Sequence, residues 1–253
     1  MFDPRKGNAV YYDLDESPLQ DIPFYLQQLS QNAEVLELGC GTGRTLIPLA
    51  AHCKRIVGID YSGDMAKQCA KKLPSQLKAK CELRVDDITS FDLKQTFDVI
   101  LAPYRVFQAL ETDSEVQGFF ASVRKHLKPN GFCILNVFKP KCEKDELLRT
   151  WAVPEEQIRW EKTLPDGSRV VHSEIYERIN SDPLVIFPQL IYRKYMDNRV
   201  VDEFVLKIKM RCYYPEEFKK LIEAQGFRIL DSWGGYAGEK YGEGKELVVK
   251  FSL

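Results

Sequence analysis

The chain has little that would tie it to a membrane, a metal or a polyanion. No apolar run approaches the roughly 20 residues that cross a bilayer. The opening MFDPRKGNAVYYDLD is not a signal peptide. Both observations lead us to expect a cytoplasmic protein with no membrane partner. Seven cysteines, at 40, 53, 69, 81, 133, 142 and 212, are an odd number with no CxxC pair. Such spacing supports neither a disulfide framework nor a zinc site, and no metal is expected. Cys81 and Cys133 lie in apolar runs and read as small buried thiols. Charge of one sign is not in excess, since 36 Lys and Arg face 37 Asp and Glu. That balance argues against nucleic acid as a partner. Histidine is scarce, at three, and neither an HExxH pattern nor a Ser-His-Asp set occurs. No repeat or low-complexity tract interrupts a length that fits one domain with an embedded subdomain.

What is present is an alternation of strands and helices. Short apolar runs rich in β-branched and aromatic residues predict strands at Glu34–Leu38, Arg55–Asp60, Cys81–Val85, Phe97–Ala102 and Phe132–Phe138. Helical patterns precede and separate them, at Leu19–Leu29 with Pro23 in its first turn, Thr45–His52, Gly63–Leu73 and Ser114–Leu127. The last has Asp113 or Ser114 as its cap and stops at Lys128-Pro129-Asn130-Gly131. This rhythm predicts an α/β fold, a doubly wound, Rossmann-like sheet of seven mostly parallel strands. Residues 157–213 differ in texture. Alternating stretches broken at Pro165-Asp166-Gly167, Asn180-Ser181-Asp182-Pro183 and Asp197-Asn198 predict three or four antiparallel strands. A helix from Pro215 to Ala224 and strands Phe227–Trp233 and Glu246–Ser252 then complete the first sheet, with a terminal antiparallel strand. We therefore expect one domain from residues 1–138 and 214–253, interrupted by an inserted antiparallel β cap at 139–213. The cap would serve as a substrate lid or a dimer interface.

The segment Glu37-Leu38-Gly39-Cys40-Gly41-Thr42-Gly43-Arg44 carries the chemistry. A strand that stops at a glycine-rich turn and enters a helix brings backbone close to a ligand, and glycine admits positive φ and removes the Cβ that would collide. A phosphate-cradling loop would end in Gly-Lys-Ser/Thr, and Arg44 follows Gly43 instead. The dinucleotide fingerprint would place its third glycine three residues after the second, and here it comes two after. Glu37 suits a ligand that carries positive charge.

This segment resembles the E-x-G-x-G-x-G signature of class I S-adenosylmethionine-dependent methyltransferases. The resemblance implies that S-adenosyl-L-methionine is the cofactor, with Gly39, Cys40 and Gly41 along its methionine part and Glu37 in the polar network beneath. Main-chain amides at 39–43 would then embrace its amino-acid tail. Asp60, ending the second strand about 20 residues after the glycines, would accept from the ribose diol; the plainer reading is a helix cap before Ser62. Tyr61 would face the adenine, with Met65 as an apolar contact. Asp87 with Ile88 would meet the adenine amino group, although Asp86 is adjacent. Ala102 ends the fourth strand at the methyl end, and the segment from Pro103 through Leu110 would close over it, unless Phe107 and Leu110 simply pack on the sheet. Tyr12 would touch the cofactor carboxylate. In the second half, Met210-Arg211-Cys212-Tyr213-Tyr214 and the helix after it look like bacterial small-molecule methyltransferases with a β-rich cap.

The expected reaction is methyl transfer to a small-molecule O, N or C acceptor by in-line displacement, for which alignment alone supplies roughly 7–11 kcal/mol. Tyr104 and His172 are the weak candidates for acceptor-side chemistry; His52 and His126 sit at helix ends. Enzymes that methylate an exocyclic base amine carry an Asn or Asp before two prolines and an aromatic here, and in Ala102-Pro103-Tyr104-Arg105 that side-chain acceptor is absent. Two alternatives remain, a catalytically silent protein that binds the cofactor to regulate a partner, and an aminopropyltransferase. A homodimer through the inserted strands is the expected assembly.

Overall fold

A computed structural model describes Gly7, residues 9–15 and residues 21–253. Leu19 and Gln20, assigned above to the first long helix, lie outside the described residues. The helices are α1 (Ala9–Tyr12), α2 (Asp21–Gln28), α3 (Leu46–Ala50), α4 (Gly63–Lys72), α5 (Asp113–His126), α6 (Lys144–Thr150) and α7 (Pro215–Ala224). The strands of the first sheet are β1 (Glu34–Leu38), β2 (Arg55–Asp60), β3 (Cys81–Val85), β4 (Phe97–Ala102), β5 (Leu127–Phe138), β11 (Arg228–Trp233) and β12 (Glu246–Ser252). Those of the second are β6 (Val153–Thr163), β7 (Arg169–Ser181), β8 (Leu184–Met196), β9 (Arg199–Lys207) and β10 (Met210–Arg211).

The first sheet runs β11-β12-β5-β4-β1-β2-β3. Every pairing from β5 to β3 is parallel, and β12 alone runs against its neighbours β5 and β11. The central strands are apolar on both faces because helices cover both. Leu36, Ile100 and Phe119 pack on one side, while Val35, Leu46 and Ile134 pack on the other. β3 is the edge and is correspondingly less buried, with Val85 exposed. Parallel order with crossovers brings the carboxyl ends of β1, β2 and β4 to one rim. The strand order reverses at β1, and that rim is where open α/β sheets bind ligands.

Three expectations shift. β5 begins at Leu127, through the Lys-Pro-Asn-Gly segment read as a stop, because Leu127 pairs with Phe97 across a register irregularity. Phe107 and Leu110 pack rather than close over a ligand. They are 0% and 5% exposed, and Phe107 meets Phe119 at 5.0 Å and Tyr213 at 5.6 Å between ring centroids. The α5 cap is Thr112, before both expected positions Asp113 and Ser114, in a reciprocal box with Glu115. Thr112→Ala is expected to cost about 1 kcal/mol, read as a lower urea midpoint; an unchanged midpoint would show that the box contributes nothing.

The second sheet has five strands rather than three or four, ordered β10-β8-β7-β6 with β9 also on β8. Its β8–β9 turn places Asp197 and Asn198 at φ 48° and 61°, the left-handed pair that a two-residue hairpin demands. α1 joins the two sheets. Tyr11 stacks on Tyr192 of β8 at 5.5 Å and its hydroxyl donates to Asp202 of β9. Two residues on, Asp13 accepts from Thr42 at 2.5 Å and from Lys72 at 2.9 Å. The inserted sheet is thus clamped beside the glycine loop.

Candidate active site

The loop after β1 holds its three glycines at φ 73°, 53° and 87°, and they serve two different ends. A Cβ on Gly39 would meet Val106 at 2.3 Å, and one on Gly43 would meet Cys69 Sγ at 2.6 Å. Those two are packing glycines. A Cβ on Gly41 would meet nothing within 4 Å, so Gly41 is the one that borders open space. Its N–H donates to Asp60 Oδ2 at 2.7 Å. The amides of Gly39 and Cys40 donate to Ile59 O, and that of Gly43 to Cys40 O. The expectation that amides across this loop embrace an amino-acid tail therefore needs correction, because four of them are engaged within the protein. A loop whose donors are engaged offers carbonyl oxygens, which suit an ammonium.

Beneath it lies an excess of carboxylate. Arg44, just past Gly43, makes a bidentate pair with Asp21 at 2.8 and 2.6 Å, and Asp21 is fully buried. Among the described residues, Glu37 Oε2 is buried with no hydrogen-bond partner. Burial pushes the Glu37 carboxyl well above its ordinary range; Arg44 opposes this, and Asp21 and Asp60 add to it. The Arg44 guanidinium is thus taken up by Asp21 while Asp60 adds a further acidic group beside Glu37, and an unpartnered buried oxygen marks where a cation is wanted.

Asp60 is 8% exposed, and besides Gly41 it accepts from the Ser62 amide at 2.8 Å. The cap of α4 is Ser62, which takes the Met65 amide at 3.3 Å, so Asp60 is not a cap. It ties the glycine loop to the start of α4. Tyr61 is 36% exposed and flanks the rim, whereas Met65 is 1% exposed and lies within the core. Asp86 accepts from the Asp87 amide, and Asp87 Oδ1 from the Thr89 amide and hydroxyl. Ile88 packs on the core and Ala102 is fully buried beside Leu135.

Past Ala102 the chain turns through Tyr104 and Arg105 at φ 54° and 66°. Two successive left-handed residues that are not glycine cost roughly 1–2 kcal/mol each. Strain of this kind concentrates at functional sites. The Tyr104 ring lies 4.7 Å under the Arg44 guanidinium and meets Tyr12 edge-on at 6.3 Å. Burial raises the Tyr104 hydroxyl above its usual range. Tyr12, Arg44 and Tyr104 therefore converge from three elements onto one side of the glycine loop. His172 has other neighbours. It is 4% exposed, stacks on Tyr192 at 4.4 Å, lies 5.3 Å from Trp160, and donates from Nδ1 to Ile191 O at 3.2 Å. The structure joins Tyr104 to the loop and leaves His172 among cap residues. Sequence reasoning missed Arg44 and Asp21 as a pair, and no spacing rule links residues 21 and 44.

Residues 35–131 match the methyltransferase domain family. These residues carry a class I S-adenosylmethionine-dependent methyltransferase domain. S-adenosylmethionine is its cofactor, and the unpartnered Glu37 oxygen and the open space at Gly41 fit a ligand with an ammonium. The methyltransferase is 23% identical over 235 residues to a putative methyltransferase, YqeM, of Bacillus subtilis, covering 88% of this chain and 86% of that one. It is 22% identical to the dTDP-3-amino-3,4,6-trideoxy-alpha-D-glucopyranose N,N-dimethyltransferase of Streptomyces venezuelae, covering 92% and 90%. In fold it is similar to an S-adenosylmethionine-dependent methyltransferase of Clostridium acetobutylicum, with a TM-score of 0.77 at 18% identity over 99% of both chains. It is likewise similar to S-adenosylmethionine-bound CalS10, an amino pentose methyltransferase of Micromonospora echinaspora, with a TM-score of 0.71 at 19% identity over 100% and 98%.

Asp60→Ala in the methyltransferase is expected to weaken cofactor binding about tenfold, the worth of one hydrogen bond to a charged group. Calorimetric titration checks this, and an unchanged dissociation constant would remove Asp60 from the site.

Proposed function

We propose that the enzyme transfers a methyl group to a small-molecule acceptor by in-line displacement. The observation that carries this reading is the clamping of the β cap onto the glycine loop through α1, with Tyr11 on the cap and Asp13 on Thr42. A lid tied to the cofactor loop suits an acceptor small enough to be enclosed. Relatives named for amino sugars support the same class. Bound S-adenosylmethionine supplies the methyl on a sulfonium. Glu37 and the loop carbonyls would hold its ammonium, Asp60 its ribose, and Asp87 with Ile88 its adenine. Arg44 and Tyr12 would take its carboxylate, while Tyr104 would line the side from which the acceptor approaches. Gly39, Cys40 and Ala102 form the wall, with Tyr61 and Met65 flanking the adenine end.

We place the cofactor-binding domain at residues 1–138 and 214–253 and the cap at 139–213. A homodimer through the inserted strands draws support from exposed Ile158 on β6 and Val201 and Val205 on β9, outer strands on opposite sides of the inserted sheet. A cytoplasmic setting agrees with the described helices, none of which is long and apolar enough to cross a membrane.

Incubation with methyl-labelled cofactor and a fractionated metabolite extract tests the reading. The expected result is S-adenosylhomocysteine together with one labelled small molecule. Label in nucleic acid, or cofactor bound with no label transferred, would contradict it, the latter favouring a silent regulatory role. Tighter binding of the decarboxylated cofactor would favour aminopropyl transfer.

A further inference from the structure

The left-handed turn at Tyr104 and Arg105 is held by a network that the cofactor motifs do not include. Arg105 Nε donates to Glu246 Oε1 at 3.2 Å and Oε2 at 3.4 Å, and its terminal nitrogen donates to the same carboxylate. Asn136 of β5 completes the triangle. Its Nδ2 donates to Glu246 Oε2 at 2.8 Å, and its Oδ1 accepts from the Arg105 backbone amide at 3.2 Å. Asn136 is fully buried and Glu246 4% exposed. The carboxylate is therefore shielded from water, fixed to the sheet through β12, and directed at the turn. Glu246 also begins β12 opposite Phe138, and its own amide donates to Gly234 O at 3.0 Å.

A buried ion pair is a poor source of net stability, since desolvation of both partners offsets most of their attraction. Its geometric effect is larger. The Asn136 bond to the Arg105 amide and the Glu246 bonds to the Arg105 side chain act on one residue from two directions. Together they fix a φ that L side chains avoid. Tyr104 precedes that residue and inherits its orientation, with its ring against Arg44 and Tyr12.

We propose that Glu246, 141 residues from Arg105 in sequence, is a positioning residue: through Asn136 and Arg105 it holds Tyr104 against the glycine loop. The proposal rests on the reading that Tyr104 borders the cofactor crevice. Glu246→Gln keeps the side chain's size and removes the charge that orients Arg105. Arg105→Gln removes the same strut from its more exposed end and serves if the first variant does not fold.

The test is fluorine NMR of the full chain labelled with 3-fluorotyrosine, with the Tyr104 line assigned by Tyr104→Phe and the Tyr11 line on the cap as an internal control. The Tyr104 line is expected to move in both variants while the Tyr11 line stays. A Tyr104 line at its wild-type position in folded Glu246→Gln would overturn the proposal. So would equal movement of both lines, which would mark a general loosening. Addition of S-adenosylmethionine to the wild type separates the two ideas. If the strut variants move the Tyr104 line and the cofactor does not, Glu246 positions Tyr104 as proposed and the crevice reading fails.

Discussion

Gly41→Val is expected to abolish S-adenosylmethionine binding, by more than about a thousandfold, in a protein that still folds. A thousandfold is roughly 4 kcal/mol, and the loop geometry explains why one side chain has that effect. The position occupied by a Cβ at Gly41 has nothing within 4 Å, so the protein itself tolerates the added atoms. A cofactor approaching that backbone does not. The cost to folding is the left-handed φ of 53°, roughly 1–2 kcal/mol for an L residue. Gly39→Ala makes the contrast. Its new methyl would meet Val106 at 2.3 Å, so it is expected to lower the melting temperature. Calorimetric titration and thermal unfolding of the two variants check the pair. A Gly41→Val protein that binds the cofactor would show that this backbone does not face the ligand.

The second large effect is on pH. With no cation beside it, buried Glu37 favours its neutral form, because burial raises its carboxyl and Asp21 and Asp60 oppose a further negative charge, with Arg44 only partly compensating. The groups facing it are Asp21 and Tyr25 on α2, Arg44 after the loop, Asp60 on β2, and Cys40 and Cys69. A bound ammonium favours the carboxylate and lowers its pKa, so cofactor binding releases a proton. Affinity is then expected to rise with pH, about tenfold per unit, between the pKa of the complex and that of the free protein. Above the free-protein pKa it levels off. For folding the sign is the opposite. A carboxyl raised on folding contributes stability that is fully present below its unfolded pKa and lost as pH climbs toward the folded one. Titrations in buffers of different ionisation heat count the protons directly. Glu37→Gln should bind with no pH slope in that range, and a slope unchanged by the substitution would place the titrating group elsewhere.

Strands buried on both faces were legible residue by residue. Glu34–Leu38, Arg55–Asp60, Phe97–Ala102 and Glu246–Ser252 are apolar runs with the expected bounds, because coverage by helices leaves their composition little latitude; the edge strand Cys81–Val85 also has its expected bounds, although it is less buried. The start of β5 was not legible. Lys128-Pro129-Asn130-Gly131 has turn chemistry, and only pairing with β4 draws it into the sheet. The helices α1 and α6, at four and seven residues, are too short to show a 3.6-residue period. Among the candidate site residues, the glycines and Glu37 stand out in sequence through one motif of fixed spacing and Asp60 through its place at the end of the second strand, and the fold joins Gly41 to Asp60. Asp21, Arg44, Asn136 and Glu246 were not, since each acquires its partner only when the sheet order sets distant segments side by side. His172 illustrates the converse. Its residue type suggested chemistry, and its strand position put it into an aromatic stack instead.

The most direct test is a crystal structure with S-adenosylhomocysteine. The account predicts density along the rim of β1 and β2, with the amino group beside Glu37 and the Gly39–Gly41 carbonyls, the ribose on Asp60, and Tyr104 and Arg44 closing one side. A ligand seated away from that rim, or an amino group pointing away from Glu37, would contradict it.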